Sequence, residues 1–409
     1  MTDPRLRPAR RALAFAFLTQ GVAFALLVTR IPAVQRRYGV SDALLPAFLA
    51  GVPVLAGAGS LAAGALAARV PAGVLLRCAQ PVVLLALVAV GVGRQTWQLA
   101  LALGVFGLAA GALDASMNMR GVALQRACGR SIMLGLHAAY SLGGIVGALL
   151  AWGGAHRGLP LGVLYGAVAV VLLPTAFAAG RWYAERRGPG PAVPPGGAEA
   201  EAGPGRAAGG AGLRVLLPLC LVMACAYLGD STVSHWSATY VQDVLGGSDA
   251  LATVPYGVYT LMTLLGRGVG DAAVGRFGPV AVVRGGTVLA GCGFGVVAAA
   301  PGPWTGLAGF GVLGLGLSVI VPQVFAAAGR LAPRAAADAA VARLNVFTYV
   351  GFLAGAPLVG ALGELWHLRG AMLVPLVLVL SALHHAPSFG GRGDRYGGGH
   401  ERSRTVDVG

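Results

Sequence analysis

"GPGPAVPPGGAEAEAGPGRAAGGAG", residues 188–212, is Gly, Pro and Ala with a few charges. Nothing in it can form a core, so it reads as a disordered linker. What it separates decides the fold. On both sides, apolar runs of about 20 residues recur, each long enough to cross a bilayer. Charged residues make up only 11% of the 409, and mean hydropathy is +0.74. A soluble chain of this size needs far more charge to cover its surface. The period-two alternation of a membrane barrel is not visible. The chain is therefore expected to be an all-α polytopic membrane protein.

Spans are predicted near 12–32, 43–68, 79–93, 97–119, 132–153, 158–180, 214–240, 251–270, 280–300, 303–327, 341–363 and 368–386. That makes twelve transmembrane helices, six on each side of the linker. The expected layout is an N-terminal segment 1–11, a six-helix bundle 12–180, a linker 181–213, a second six-helix bundle 214–386 and a tail 387–409.

The net charge of +15 comes entirely from arginine; there is no lysine. The arginines cluster in short gaps between apolar runs, which argues against nucleic-acid binding and for loops that orient helices. With the N-terminus inside, 24 arginines fall in cytoplasmic segments and five in outer ones. Arg30 stands near the outer end of the first span. This places both termini in the cytoplasm of a bacterium, with the chain multi-pass in the inner membrane. The run after Arg5, Arg7, Arg10 and Arg11 is long for a signal peptide and is read as the first span. The five cysteines lack metal-ligand spacing, so no disulfide, zinc site or other cofactor is expected. An RGD triplet at 392–394 falls in the tail and is attributed to chance.

"GALDASMNMRG", residues 111–121, puts a carboxylate inside the fourth span. Gly107, Gly111, Asp114 and Asn118 form one small and polar stripe at helical spacing. Such a stripe is costly against lipid, so it must face protein or a wet cavity. His137, Ser141, Gly144 and Ala148 repeat the spacing on span five. Counted from Arg120 and Arg130, Asp114 and His137 lie about 9 and 10 Å deep. A carboxyl removed from water is easier to protonate. Asp114 and His137 are thus proton-coupling candidates, or else a static pair that packs the two spans.

Two six-span bundles joined by a linker is the plan of the major facilitator superfamily, in which two parallel halves rock about a central site. "GRGVGDAAVGRFGPVAVVRGG", residues 266–286, resembles that superfamily's Gly-x-x-x-Asp-Arg-x-Gly-Arg loop, through Gly270, Asp271, Arg276 and Gly278. The resemblance implies a clasp between the halves on the inner side. In the first half, Gly64 and Arg69 match, but the aspartate is Ala68 and a glycine is Pro71. "DASMN" at 114–118, "SIMLGLHAAYSLGGIVGA" at 131–148 and "YLGDSTVSHWS" at 227–237 resemble elements of the fucose-permease-like branch and its uncharacterised bacterial relatives. The branch's sugar permeases carry a second acid in span one, near Val28 here, and it is absent.

Spans one and seven line the cavity in that superfamily, so Arg30 and Asp230 are candidates for a pair gating the outer mouth. The gating candidates are therefore Arg30, Asp230, Asp271, Arg276 and Arg69. The cavity candidates are Asn118, Ser141, Tyr227, Asp230, Ser234, Trp236, Gln323, Asn345 and Tyr349. Trp236 is read either as a sugar-stacking ring or as an interfacial anchor.

The expected activity is secondary active transport by alternating access, proton-coupled, of a sugar-like or other small polar organic cargo. The chain is expected to work as a monomer in the lipid bilayer. A drug/proton antiporter is the alternative, although span five lacks that family's Gly-Pro element. A membrane sensor or embedded enzyme is more remote, because no acid, His and nucleophile cluster and no extra domain is visible. No lysine is available for a phosphate-binding loop, which excludes an ATP-driven pump in this chain alone.

Overall fold

The computed structural model describes residues 6–41, 44–183, 211–333 and 336–390. Of the expected linker 181–213 and tail 387–409, residues 184–210 and 391–409 lie outside the described residues. Among the described residues the chain is helical, without strands. The first half comprises α1 (Leu6–Thr29), α2 (Ile31–Tyr38), α3 (Leu45–Leu66), α4 (Ala72–Val92), α5 (Thr96–Cys128), α6 (Met133–His156) and α7 (Leu161–Gly180). The second comprises α8 (Ala211–Thr239), α9 (Asp249–Ala252), α10 (Pro255–Ala299), α11 (Pro303–Leu317), α12 (Ile320–Leu331), α13 (Ala337–Leu365), α14 (Leu368–Ala371), α15 (Leu373–Leu380) and α16 (Ala382–His385). Spans seven, ten and twelve are composite: α8 runs into a π-helical turn at Tyr240–Val244, span ten is α11 plus α12, and span twelve is α14 to α16 with a 3-10 turn at Ala386–Phe389.

Among the described residues, eleven helices are long and apolar enough to cross a membrane. One of them, α10, holds two spans. Its 45 residues are broken at Gly278, where φ 77° and ψ 162° leave the helical region. Only glycine adopts that backbone without strain, and Pro279 after it has no N–H to continue the ladder. The twelve expected spans are thereby accounted for, in two pseudo-symmetric six-helix bundles.

Several boundaries differ from the sequence expectation. The third span begins at Ala72 rather than 79, and the fourth runs on to Cys128 rather than ending at 119. The fourth starts on a capping box of Gln95 and Gln98 and stops at Gly129, which is left-handed at φ 62°. Arginines 120 and 126 are therefore helical residues, not loop residues. Polar side chains in the last turns of a long helix reach water without ending it.

Each bundle is knit by the same two kinds of close helix pair. In the first half, Gly21 and Gly143 bring α1 against α6, and Gly59 and Gly111 bring α3 against α5. In the second, Gly351 seats α13 on Ala224 of α8, and Gly314 seats α11 on Tyr259 of α10. Lipid tails offer no hydrophobic drive between helices, so close backbone approach at small residues supplies the packing. Apolar side chains such as Leu101, Val170, Val171 and Val377 stay exposed on the outside, as a lipid-facing belt requires.

Between the halves, α3 meets α13 and α6 meets α10. Ser60 donates to Ala342 O at 3.1 Å and accepts from Asn345 Nδ2 at 3.3 Å. Gly64 packs on the Ala342 methyl, and Gly329 packs on Val122. Arg126 donates to Ala332 O at 3.3 Å. These contacts lie toward the end of the bundle that carries Arg69, Arg130, Arg276 and Arg343, called here the arginine-rich end. At the opposite end, α2 is fastened within its own half: Arg37 donates to Gly93 O at 2.9 Å and Tyr38 to Val90 O at 2.7 Å. Burial pushes the Tyr38 phenol above its usual range, against the pull of neighbouring Arg37.

Candidate functional site

Asp114 lies mid-helix in α5, 14 residues before Cys128, about 21 Å of rise. Both carboxylate oxygens are held. Gln20 Nε2 of α1 donates to Oδ1 at 2.5 Å, and Tyr349 OH of α13 donates to Oδ2 at 2.5 Å. Gln20 belongs to the same half and Tyr349 to the other. Asp114 and Tyr349 both keep part of their surface accessible.

Asp114 and His137 do not touch. Asn118 stands between them: its Nδ2 donates to the Asp114 backbone O at 2.9 Å, and its Oδ1 meets His137 Nε2 at 3.2 Å. The His137 ring is packed between Phe17 at 5.2 Å and Phe325 at 6.0 Å between centroids, the latter from the other half. Asn118 lies one helical turn from Asp114, so His137 and Asp114 stand at similar height, bridged by Asn118 rather than in contact.

Ser141 accepts from Arg267 Nη1 at 2.6 Å. Arg267 also reaches His137 O at 3.4 Å and Ser318 O at 3.5 Å. The arginine bias counts Arg267 among the cytoplasmic residues that follow span eight. The helix instead continues to Gly278, which puts Arg267 midway along the span, half-buried between the halves. A guanidinium at that depth needs acceptors, and α6 supplies two of them across the interface.

Asp230 of α8 accepts from Tyr259 OH of α10 at 2.5 Å. Tyr227 lies one helical turn before Asp230 and within electrostatic reach of Asp114, Asp230 and Arg267 together. Tyr140 of α6 is in similar reach of Asp114 and Arg267, and Tyr256 of Asp230 and Arg267. Two carboxylates, one guanidinium and five tyrosines (140, 227, 256, 259 and 349) thus converge between the bundles. They come from five helices, α5 and α6 in the first half and α8, α10 and α13 in the second.

Other expected residues go elsewhere. Arg30 is not brought to Asp230; it lies at the α1–α2 turn beside Tyr165, with its Nε buried and unpartnered. The chain turns at Arg30 along the rim of its own bundle, while Asp230 is turned toward Tyr259. Trp236 donates to Ala356 O at 3.0 Å and lays its ring on Gly360, packing α8 on α13. It is neither a free stacking surface nor a free anchor. Ser234 donates back to Asp230 O at 2.8 Å. Gln323 is fully buried in α12, and neither atom of its amide has a partner. Asn345 serves the α3–α13 contact described above.

Asp271 caps the start of α6 across the interface. Its carboxylate accepts from Ser131 Oγ at 2.6 Å, Gly135 N at 2.8 Å and Leu134 N at 3.3 Å. A carboxylate on a helix N-terminus gains from unpaired N–H groups and the helix dipole. Arg276 is exposed and lies over its neighbour Phe277 at 5.4 Å, and Arg69 is exposed at the matching turn of the first half. Neither arginine takes part in this contact.

Gln20, Arg267, Tyr140, Tyr256 and Tyr259 were not among the expected site residues. Gln20 had a usable signal, being the lone amide in the apolar run of α1. Arg267 was hidden by its closeness to a glycine-rich loop motif. The tyrosines carry no local signal, since a tyrosine in a span is as often packing.

The Major Facilitator Superfamily model matches residues 219–387. An uncharacterised transporter of the same type from Yersinia pestis is 30% identical over 372 residues, covering 90% of this chain and 92% of that protein. Among solved structures, the human organic anion transporter MFSD10 (TETRAN) superposes with a TM-score of 0.74 at 15% identity, over 94% of this chain and all of the other. FucP in the outward conformation superposes at 0.73 with 14% identity, over 94% and 99% of the two chains.

Proposed function

The chain belongs to the major facilitator superfamily, and from that premise we propose that it is a proton-coupled secondary transporter of a small polar organic solute. One observation carries this reading: the Asp114 carboxylate takes one hydrogen bond from each half, from Gln20 and from Tyr349, while remaining partly accessible. A group bridging two bodies that move apart changes its partners in each cycle, and a carboxyl losing a donor changes its proton affinity. That is the requirement for coupling a proton to alternating access.

The surrounding tyrosine hydroxyls, Asp230 and Arg267 favour a cargo rich in hydrogen-bonding groups over an apolar one. Asn118 and His137 support the Asp114 segment, and Ser141 ties it to Arg267. The arginine-rich end is assigned to the cytoplasm of a bacterial inner membrane by the bias of basic residues. Asp271 and the α3–α13 contacts then act as the cytoplasmic gate, and the described state is closed inside and open outward. The protein works as a monomer in this reading.

Counterflow and proton-driven uptake in proteoliposomes test it, against a panel of sugars and drugs. Asp114→Asn is expected to exchange cargo without accumulating it. A variant that still builds a full proton-driven gradient would remove Asp114 from the coupling step.

A further inference from the structure

At the arginine-rich end, the start of α1 and the turn between α5 and α6 enclose a groove of about 450 Å³. Arg7, Arg10, Arg11 and Arg130 line it, over apolar surface from Leu6 and Cys128, and among the described residues its lining includes no carboxylate. None of the four guanidinium groups has a hydrogen-bond or ion-pair partner among the described residues. Four cations in one groove repel one another unless an anion joins them.

We propose that this groove binds the phosphate of an anionic phospholipid headgroup. Three features select that occupant. Guanidinium forks match phosphate oxygens in pairs, and four of them surround one volume. The groove stands where α1 enters its apolar run, at the depth of a headgroup. Its mixed lining takes a polar phosphate at the arginines and the glycerol and first methylenes at Leu6 and Cys128. Basic clusters at a membrane boundary attract anionic lipid by about 1 kcal/mol per residue, roughly fivefold in affinity for each arginine. The site is separate from the central cluster around Asp114 and requires no assumption about cargo.

Cys128 makes the groove readable in the unaltered protein. The full chain in nanodiscs of phosphatidylcholine, with or without phosphatidylglycerol, is labelled with a maleimide and the rate followed at each cysteine by mass spectrometry. Phosphatidylglycerol is expected to slow labelling at Cys128 several-fold and leave exposed Cys78 unchanged. In native mass spectrometry, retention of phosphatidylglycerol should fall about fivefold in each of Arg10→Gln and Arg130→Gln. Equal labelling of Cys128 in the two lipids overturns the proposal, as does undiminished retention in both variants. Protection of Cys128 by soluble glycerol phosphate in pure phosphatidylcholine overturns the lipid assignment in favour of a free phosphate compound.

Discussion

Asp114 and Tyr349 illustrate how one hydrogen bond is worth more than its own energy when its partners sit on two moving bodies. A bond to a charged group contributes about 1.5 kcal/mol or more when buried, and this one exists only while the bundles meet. Tyr349→Phe keeps the ring and removes the donor. It is expected to lower the equilibrium preference for the state closed at the arginine-rich end by roughly tenfold. Distance measurements between spin labels on α3 and α13 check this, and an unchanged distribution would show that the bond does not bias the states. Asp114, Asn118, His137 and Ser141 were legible as polar members of small-residue stripes. Their partners were not: Asn118 intervenes between Asp114 and His137, and the second donor to Asp114 comes from a residue 235 positions away.

Glycines set how the elements meet. Gly59 of α3 abuts the backbone of Leu108 in α5, while Gly51 of the same helix has nothing near it. Gly59→Ala is expected to destabilise by about 1–3 kcal/mol through overpacking. Gly51→Ala should be neutral or stabilising by up to about 1 kcal/mol, since alanine is the better helix former. Thermal unfolding of the two variants in detergent separates them, and equal losses would contradict the packing described here. At this scale the pattern of apolar runs placed the spans well and their ends poorly. The fourth span outruns its apolar run to Cys128, and the eighth runs on past 270 to the break at Gly278. Hydropathy reports what lies in hydrocarbon, whereas a helix continues for as long as its backbone is satisfied.

For the whole molecule, the contacts named between the halves run from the centre to the arginine-rich end, and those at the opposite end stay within one half. That asymmetry is what one state of a rocking transporter requires. It predicts that Gly64→Cys with Ala342→Cys, in a background lacking the five native cysteines, forms a disulfide on oxidation. Transport should stop when the bond forms and return on reduction. Cross-linking that leaves transport intact would mean that α3 and α13 do not separate during the cycle.

The division of labour between sequence and tertiary structure follows from the solvent. A bilayer judges each 20-residue run separately and each loop by its arginines. The membrane class, the number of spans and the placing of Asp114 within a span were therefore written locally. Which side chains meet depends on the rotation of each helix about its axis and on neighbours hundreds of residues away, and no local pattern records either. Tertiary structure alone decided that Asp230 faces Tyr259 and not Arg30, that Arg267 stands midway along a span, and that Asp114 is shared between the two halves.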